Sequence, residues 1–186
     1  IGFFLGSRHQ EIVYHIPVII NLIDRLKKFN NFNFQFYVTK EFETLVRKHF
    51  DNKNYLFYLN DNKYYNNISK LDFAFACSGT VHLELSFSQI PHFIFYKTNW
   101  FNYFIFKIFV RSKYLSLINI FNKKSCVKEF IQSNFNSNNL ISEFIHISKN
   151  KESLYAYTNA MTESLNRSNI KKMSTNKVID YLKKFS

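Results

Sequence analysis

Glycine is scarce in this sequence, at three of 186 residues, and proline and cysteine number two each. Neither a GxGxxG fingerprint nor a P-loop pattern is present, so a dinucleotide fold or an NTPase has no motif behind it. Cys77 and Cys126 lie far apart without a CxxC partner, which speaks against a zinc site and against a disulfide framework. A reduced, cytoplasmic chain is the expectation. The six histidines show no ligand spacing such as HxxxH and are read as surface or packing residues rather than metal ligands. Long apolar runs are missing too. The longest, "WFNYFIFKIFV", falls far short of the ~20 residues that span a bilayer and is broken by Lys107.

What is abundant is aromatic and basic. Hydrophobic residues make up 46%, with 23 Phe and 12 Tyr, which excludes a disordered chain. The length fits one domain with a sizeable core. Lys and Arg number 25 against 13 Asp and Glu, for a net charge of +12. Such a balance ordinarily points to nucleic acid or an anionic membrane. Here Lys, Asn, Ile, Phe and Tyr share A/T-rich codons, and the basic residues are scattered in doublets rather than runs. The charge reads as solvated faces, and nucleic acid is not the expected partner.

Along the chain, short apolar stretches alternate with helical periodicity. Strands are expected at Ile1–Leu5, in "FQFYVTK", "NYLFYLN" and "LDFAFACSGT", and in "PHFIFYK". Helices are expected at Glu11–Phe29, where Ile12, Ile16, Ile19, Ile20, Ile23 and Leu26 share a face, in "EFETLVRKHF" and in "GTVHLELSFSQ". An aromatic helix over Trp100–Val110 follows, then "YLSLINIFNKKS", and three helical stretches at Val127–Phe135, Lys151–Leu165 and Asn176–Phe185. This alternation predicts an α/β fold, a Rossmann-like parallel sheet with helices on both faces. In such sheets ligands sit beyond the carboxyl ends of the strands.

That rule singles out two turns. Gly6 and Gly79 each end an expected strand, each stands beside a serine, and each precedes a helix. Backbone N–H groups at such a turn form an anion site where a small residue permits close approach. Arg8 follows Gly6 and Ser7, in a chain with five arginines against twenty lysines, and its guanidinium suits a phosphate. The plainer reading is a pair of ordinary strand-to-helix turns with serine caps. Glu84, one helical turn beyond Gly79, could accept hydrogen bonds from ribose hydroxyls or simply be a solvated helix residue.

The segments "LGSRHQEI", "CSGTVHLELSFSQIPHFIFYK", "YLSLINIF" and "VKEFIQ" carry a resemblance. In order and approximate spacing they resemble the "PGSRxxEI", "SGTATLE…GVP…YR", "PN" and "PELLQ" elements in the C-terminal half of bacterial lipid-A-disaccharide synthases, over Ile1 to about Gln132. The resemblance implies the C-terminal half of a GT-B glycosyltransferase. Residues 1–186 would then form a nucleotide-sugar-binding domain with C-terminal helices, with the acceptor-binding N-terminal half outside this chain. It also implies the reaction: transfer of 2,3-diacylglucosamine from its UDP derivative to 2,3-diacylglucosamine 1-phosphate, without metal or other cofactor. Carried over, Gly6, Ser7 and Arg8 would face the diphosphate. Ser78, Gly79 and Thr80 would form a second anion-binding turn, with Glu84 near the ribose. Asn119, Glu129 and Gln132 would line the nucleotide cleft. The general base is expected in the N-terminal half, and a homodimer is compatible with the family. Leu5, Gln89, Lys97, Ile118 and Lys128 depart from the pattern, where the family has Pro, Gly, Arg, Pro and Pro. Another GT-B transferase or an epimerase of related fold, and a non-catalytic basic binding module, stand as alternatives.

The segment "NWFNYFIFKIFVRSKY" reads either as a core helix or as an interfacial one, its aromatics at the headgroup boundary and its cations on anionic lipid. Acylated substrates make peripheral attachment to the inner membrane the sharper expectation. Replacing Phe104 and Phe106 with Ser should weaken sedimentation with anionic vesicles while the far-UV circular dichroism is kept; undiminished sedimentation would remove the segment from the membrane.

Overall fold

A computed structural model of the chain describes residues 1–29, 31–50, 55–59, 64–100, 103 and 113–167. Most of the aromatic segment and the expected helix at 176–185 lie outside these residues.

Six strands form one sheet: β1 Gly2–Phe4, β2 Phe34–Val38, β3 Tyr55–Leu59, β4 Ala74–Cys77, β5 His92–Tyr96 and β6 Glu129–Ile131. Their order is β3-β2-β1-β4-β5-β6, and every pairing is parallel. The helices are α1 His9–Leu26, α2 Glu43–Phe50, α3 Tyr64–Ile68, α4 Val81–Phe87, α5 Leu117–Asn122, α6 Ser137–Ser148 and α7 Lys151–Arg167. This is an α/β, Rossmann-like arrangement. The order reverses between β1 and β4, and a crevice opens there at the carboxyl edge of such a sheet.

Period-2 alternation decides which face each strand residue occupies. Phe3, Leu5, Phe73, Phe75, Phe93 and Phe95 join the cluster under α1, α2 and α6. Phe4, Ala74 and Ala76 point the other way, toward α3 and α4, and Ile94 meets α5 and α7. Register brings four phenylalanines into one row, Phe3 being level with Phe36 and Phe75, and Phe75 with Phe93. Phe3 stacks on Phe36 at 5.3 Å and on Phe75 at 5.4 Å between ring centroids. α1 lays Ile12, Ile16, Ile19, Leu22, Ile23 and Leu26 on this row, each at most 3% exposed. Pro17 falls inside α1 on its solvent side, where the carbonyl it leaves without an amide donor can be hydrated.

The expectation of a helix at Val127–Phe135 is corrected. Glu129–Ile131 is the edge strand β6, paired with Ile94–Tyr96, and a 3-10 turn follows at Gln132–Asn134. Gln132 has φ of 52°, a left-handed conformation that no right-handed helix can pass through. Val127, Phe130, Ile131 and Phe135 have helical spacing, yet Phe130 packs on Phe93 at 5.3 Å across the sheet. The helix of this region is α6, and the short helix α3 stands between β3 and β4, where no helix was expected.

One departure from the family pattern has a backbone consequence. α4 ends in a Schellman turn, with Ile90 N–H donating to Leu85 and Gln89 N–H to Ser86. Gln89 holds the left-handed position, φ 57°, which favours glycine. Gln89→Gly should therefore stabilise the chain by about 0.5–1 kcal/mol, after allowing for the freer unfolded chain. A rise in the urea midpoint reads this directly, and an unchanged or lowered midpoint would refute it.

Candidate functional site

Phe4 is level with Ala76, so two residues further on Gly6 and Ser78 leave the sheet side by side. Between their turns lies a cleft of about 190 Å³. Gly6, Ser7, Ser78, Gly79, Thr80 and Glu84 line it, together with Thr39 and the aromatic floor of Phe4, Tyr37 and Tyr64. Six of the ten residues expected from sequence thus meet at one place. The volume is below the ~300–1,000 Å³ of an ordinary ligand pocket.

The two glycines serve different needs. Gly6 has φ of 109°, and a Cβ there would stand 3.1 Å from both Cys77 Sγ and Glu11 Oε2. Only glycine fits that turn without displacing a neighbour. At Gly79 a Cβ would meet nothing within 4 Å, so the protein itself does not require a glycine.

The serine-cap reading does not describe these turns. The N-cap of α1 is Arg8 and that of α4 is Thr80, and neither caps its helix with a side chain. No hydrogen bond within the described residues engages the hydroxyls of Ser7, Ser78 or Thr80. Thr39 Oγ1 is buried and has no partner among the described residues. The first-turn amides and these hydroxyls leave the cleft edge rich in unanswered polar groups, the kind of edge that accepts an anion.

Arg8 stands at the rim, its side chain 76% exposed, with Nη1 3.2 Å from Glu11 Oε1. It is not part of the cleft wall. Glu11 is buried beneath it, and Cys77 Sγ donates weakly to Glu11 Oε2 at 4.0 Å. Burial, followed by the charge of Glu11, pushes the Cys77 thiol well above its usual range, so Cys77 is a neutral wall residue and not a nucleophile.

Asn119, Glu129 and Gln132 lie apart from this cleft and satisfy the protein's own backbone. Glu129 accepts from the amides of Leu115 and Ser116, both at 2.9 Å, and from Asn119 Nδ2 at 2.7 Å. Asn119 Oδ1 takes the amides of Cys126 and Val127. Gln132 clamps Thr98, accepting from its amide at 3.0 Å and donating to its carbonyl at 3.2 Å. Gln132 thereby fixes the loop that follows β5 at the carboxyl edge, while Asn119 and Glu129 tie the start of α5 to the segment leading into β6. Among the described residues no cluster of three or more His, Cys, Asp or Glu could hold a metal ion.

Residues the sequence reading passed over complete the site. His15, fully buried on α1, accepts from Lys97 N–H at Nε2 (3.0 Å) and donates from Nδ1 to the Leu5 carbonyl (2.8 Å). It ties the end of β1 to the end of β5 just below the Gly6 turn. Thr39 directly follows β2, so the strand-end rule reaches it as well. Glu11 stands three residues after Arg8, at pairing distance on a helix. Tyr64 gave no signal, because α3 is too short for periodicity to show.

A family model described as lipid-A-disaccharide synthetase matches residues 1–184. The chain is 33% identical over 155 residues to a lipid-A-disaccharide synthase of Rickettsia prowazekii, covering 81% of this chain and 40% of that protein. The synthase of Rickettsia felis is 37% identical over 134 residues, 70% of this chain and 34% of its own length. That of Aquifex aeolicus is 31% identical over 150 residues, 81% and 40%. The chain spans about two fifths or less of the curated relatives it matches.

Burial sets a pH dependence under this edge. Desolvation lowers His15 to about 4, His82 to about 3 and His92 to about 4, and His82 Nδ1 and His92 Nε2 have no partner among the described residues. The unfolded chain binds protons at these groups near pH 6.5 and the folded chain does not. Their stabilisation is complete above pH 6.5 and is lost as pH falls toward 4. Glu129, raised by burial, titrates in the opposite sense, but one carboxyl does not offset three imidazoles. The melting temperature should drop through this window; a flat profile from pH 7 to 4 would contradict the neutral assignment.

Proposed function

The chain belongs to the lipid-A-disaccharide synthetase family, and on that premise we propose that it is the nucleotide-binding half of a glycosyltransferase. It holds the UDP end of UDP-2,3-diacylglucosamine while the sugar passes to 2,3-diacylglucosamine 1-phosphate. The reading is carried by the cleft between the two glycine turns at the β1/β4 reversal. Amides and free hydroxyls converge there, and the Gly79 turn leaves room that the protein does not use.

In this reading the diphosphate lies across the Gly6 and Gly79 turns, with Ser7, Ser78 and Thr80 donating hydroxyl bonds. Arg8 swings from the rim to add positive charge. These fixed dipoles and the guanidinium stabilise the negative charge that grows on the leaving UDP, which lowers the barrier to breaking the sugar–phosphate bond. Glu84 accepts from the ribose. Asn119, Glu129 and Gln132 serve by fixing the loops beside β5. The incoming hydroxyl needs a base to take its proton, and that base, with the second wall of the site, comes from outside these 186 residues. Acylated substrates make a membrane surface the natural workplace. Among the described residues no helix is long and apolar enough to cross a membrane.

Calorimetric titration of the 186-residue chain with UDP should give saturable binding and no turnover. Gly79→Ala should weaken UDP about tenfold, or ~1.4 kcal/mol, with an unchanged melting temperature, and Arg8→Gln should weaken it in the same direction. Absence of saturable UDP binding, with salt-sensitive binding to nucleic acid instead, would overturn the proposal.

A further inference from the structure

Glu84 reaches the cleft with one carboxylate oxygen already engaged. Tyr64 donates its hydroxyl to Glu84 Oε2 at 3.0 Å, while Oε1 has no hydrogen-bond partner among the described residues. Both side chains line the cleft. The direction of the phenol is itself fixed: its ring meets Tyr37 edge-on at 5.9 Å and 78°, and Tyr37 lies stacked on Phe4 at 4.3 Å. A chain of three rings, from β1 through β2 to α3, therefore ends in one oriented hydroxyl. Desolvation, followed by the charge of Glu84, raises the Tyr64 phenol far beyond its ordinary range, so it remains a donor at any working pH.

A glutamate on an open helix face samples many rotamers, and ordering it at the moment of binding costs about 1–2 kcal/mol of side-chain entropy. Here the Tyr64 bond orders it during folding and leaves Oε1 as the unengaged acceptor of a residue that lines the cleft. An acceptor held in place this way rewards a ligand hydroxyl, and an analogue that lacks the hydroxyl forgoes that bond. We propose that Tyr64 is a positioning residue that aims the Glu84 carboxylate, and thereby makes the site select nucleotides that carry the full set of ribose hydroxyls. This rests on the nucleotide reading above.

The test is titration of the 186-residue chain and its Tyr64→Phe variant with UDP, 2′-deoxy-UDP and 3′-deoxy-UDP. Phe keeps the ring on Tyr37 and removes only the hydroxyl, so the melting temperature should shift little. The unaltered chain should bind UDP about tenfold or more tighter than at least one deoxy analogue. In Tyr64→Phe that preference should collapse toward unity, through weaker UDP binding with the affinity for the deoxy analogue unchanged. A preference that survives the substitution overturns the inference, as does an equal loss for all three ligands, which is the mark of a structural role alone. An unaltered chain that binds UDP without preference also overturns it while leaving the nucleotide site standing. A chain that binds none of the three defeats the nucleotide reading itself.

Discussion

The row of phenylalanines across β2, β1, β4 and β5 sets the height of everything at the carboxyl edge. Phe36, Phe3, Phe75 and Phe93 are level in the parallel register, and a slip of one residue would drive this row to the opposite face. On that face β4 presents only Ala74 and Ala76, packed beneath α3 and α4 beside Phe4 and Tyr37, where a slip would have to seat the larger Phe75 ring. The register is therefore locked, and with it the level at which β1 and β4 stop. Gly6 and Ser78 emerge as neighbours because the strands beneath them cannot slide.

The same constraint explains why so many polar groups near the edge serve the backbone. Parallel strands end in separate loops, each of which must bury or satisfy its own amides. Glu129, Asn119 and Gln132 do this for the loops beside β5, and His15 joins the ends of β1 and β5. With those loops satisfied internally, the Gly6 and Gly79 turns are left with amides and hydroxyls facing outward. This chain, a member of the lipid-A-disaccharide synthetase family, keeps that division with Leu5, Ile118, Lys128 and Gln89 at the positions where the family resemblance expects proline or glycine.

Much of the fold was legible because the apolar pattern is strong where elements are long or fully buried. α1 shows eighteen residues of helical spacing, and β4 and β5 are continuous apolar runs ending in a turn or preceded by proline. Legibility failed in short elements. Val127–Phe135 has helical spacing by coincidence, since an edge strand with a left-handed residue after it leaves few positions to reveal a period of two. α3 is five residues long and polar, with no periodic signal. In the candidate site, scarcity of glycine marked both turns and the strand-end rule marked their edge. Thr39 was within reach of the same strand-end rule and Glu11 of its helical spacing from Arg8, whereas Tyr64 became visible only as a neighbour.

By itself, the sequence determined the parallel α/β layering, the two glycine turns and the side of the sheet on which they stand, since these follow from local periodicity and from where a chain can turn. Tertiary structure alone decided what each polar side chain does. Glu84 is paired with a tyrosine twenty residues away, Cys77 lies against Glu11 across sixty-six, and Gln132 clamps Thr98 across thirty-four. A hydrogen bond is short and directional, so its partner is chosen by packing in three dimensions and leaves no period in the chain.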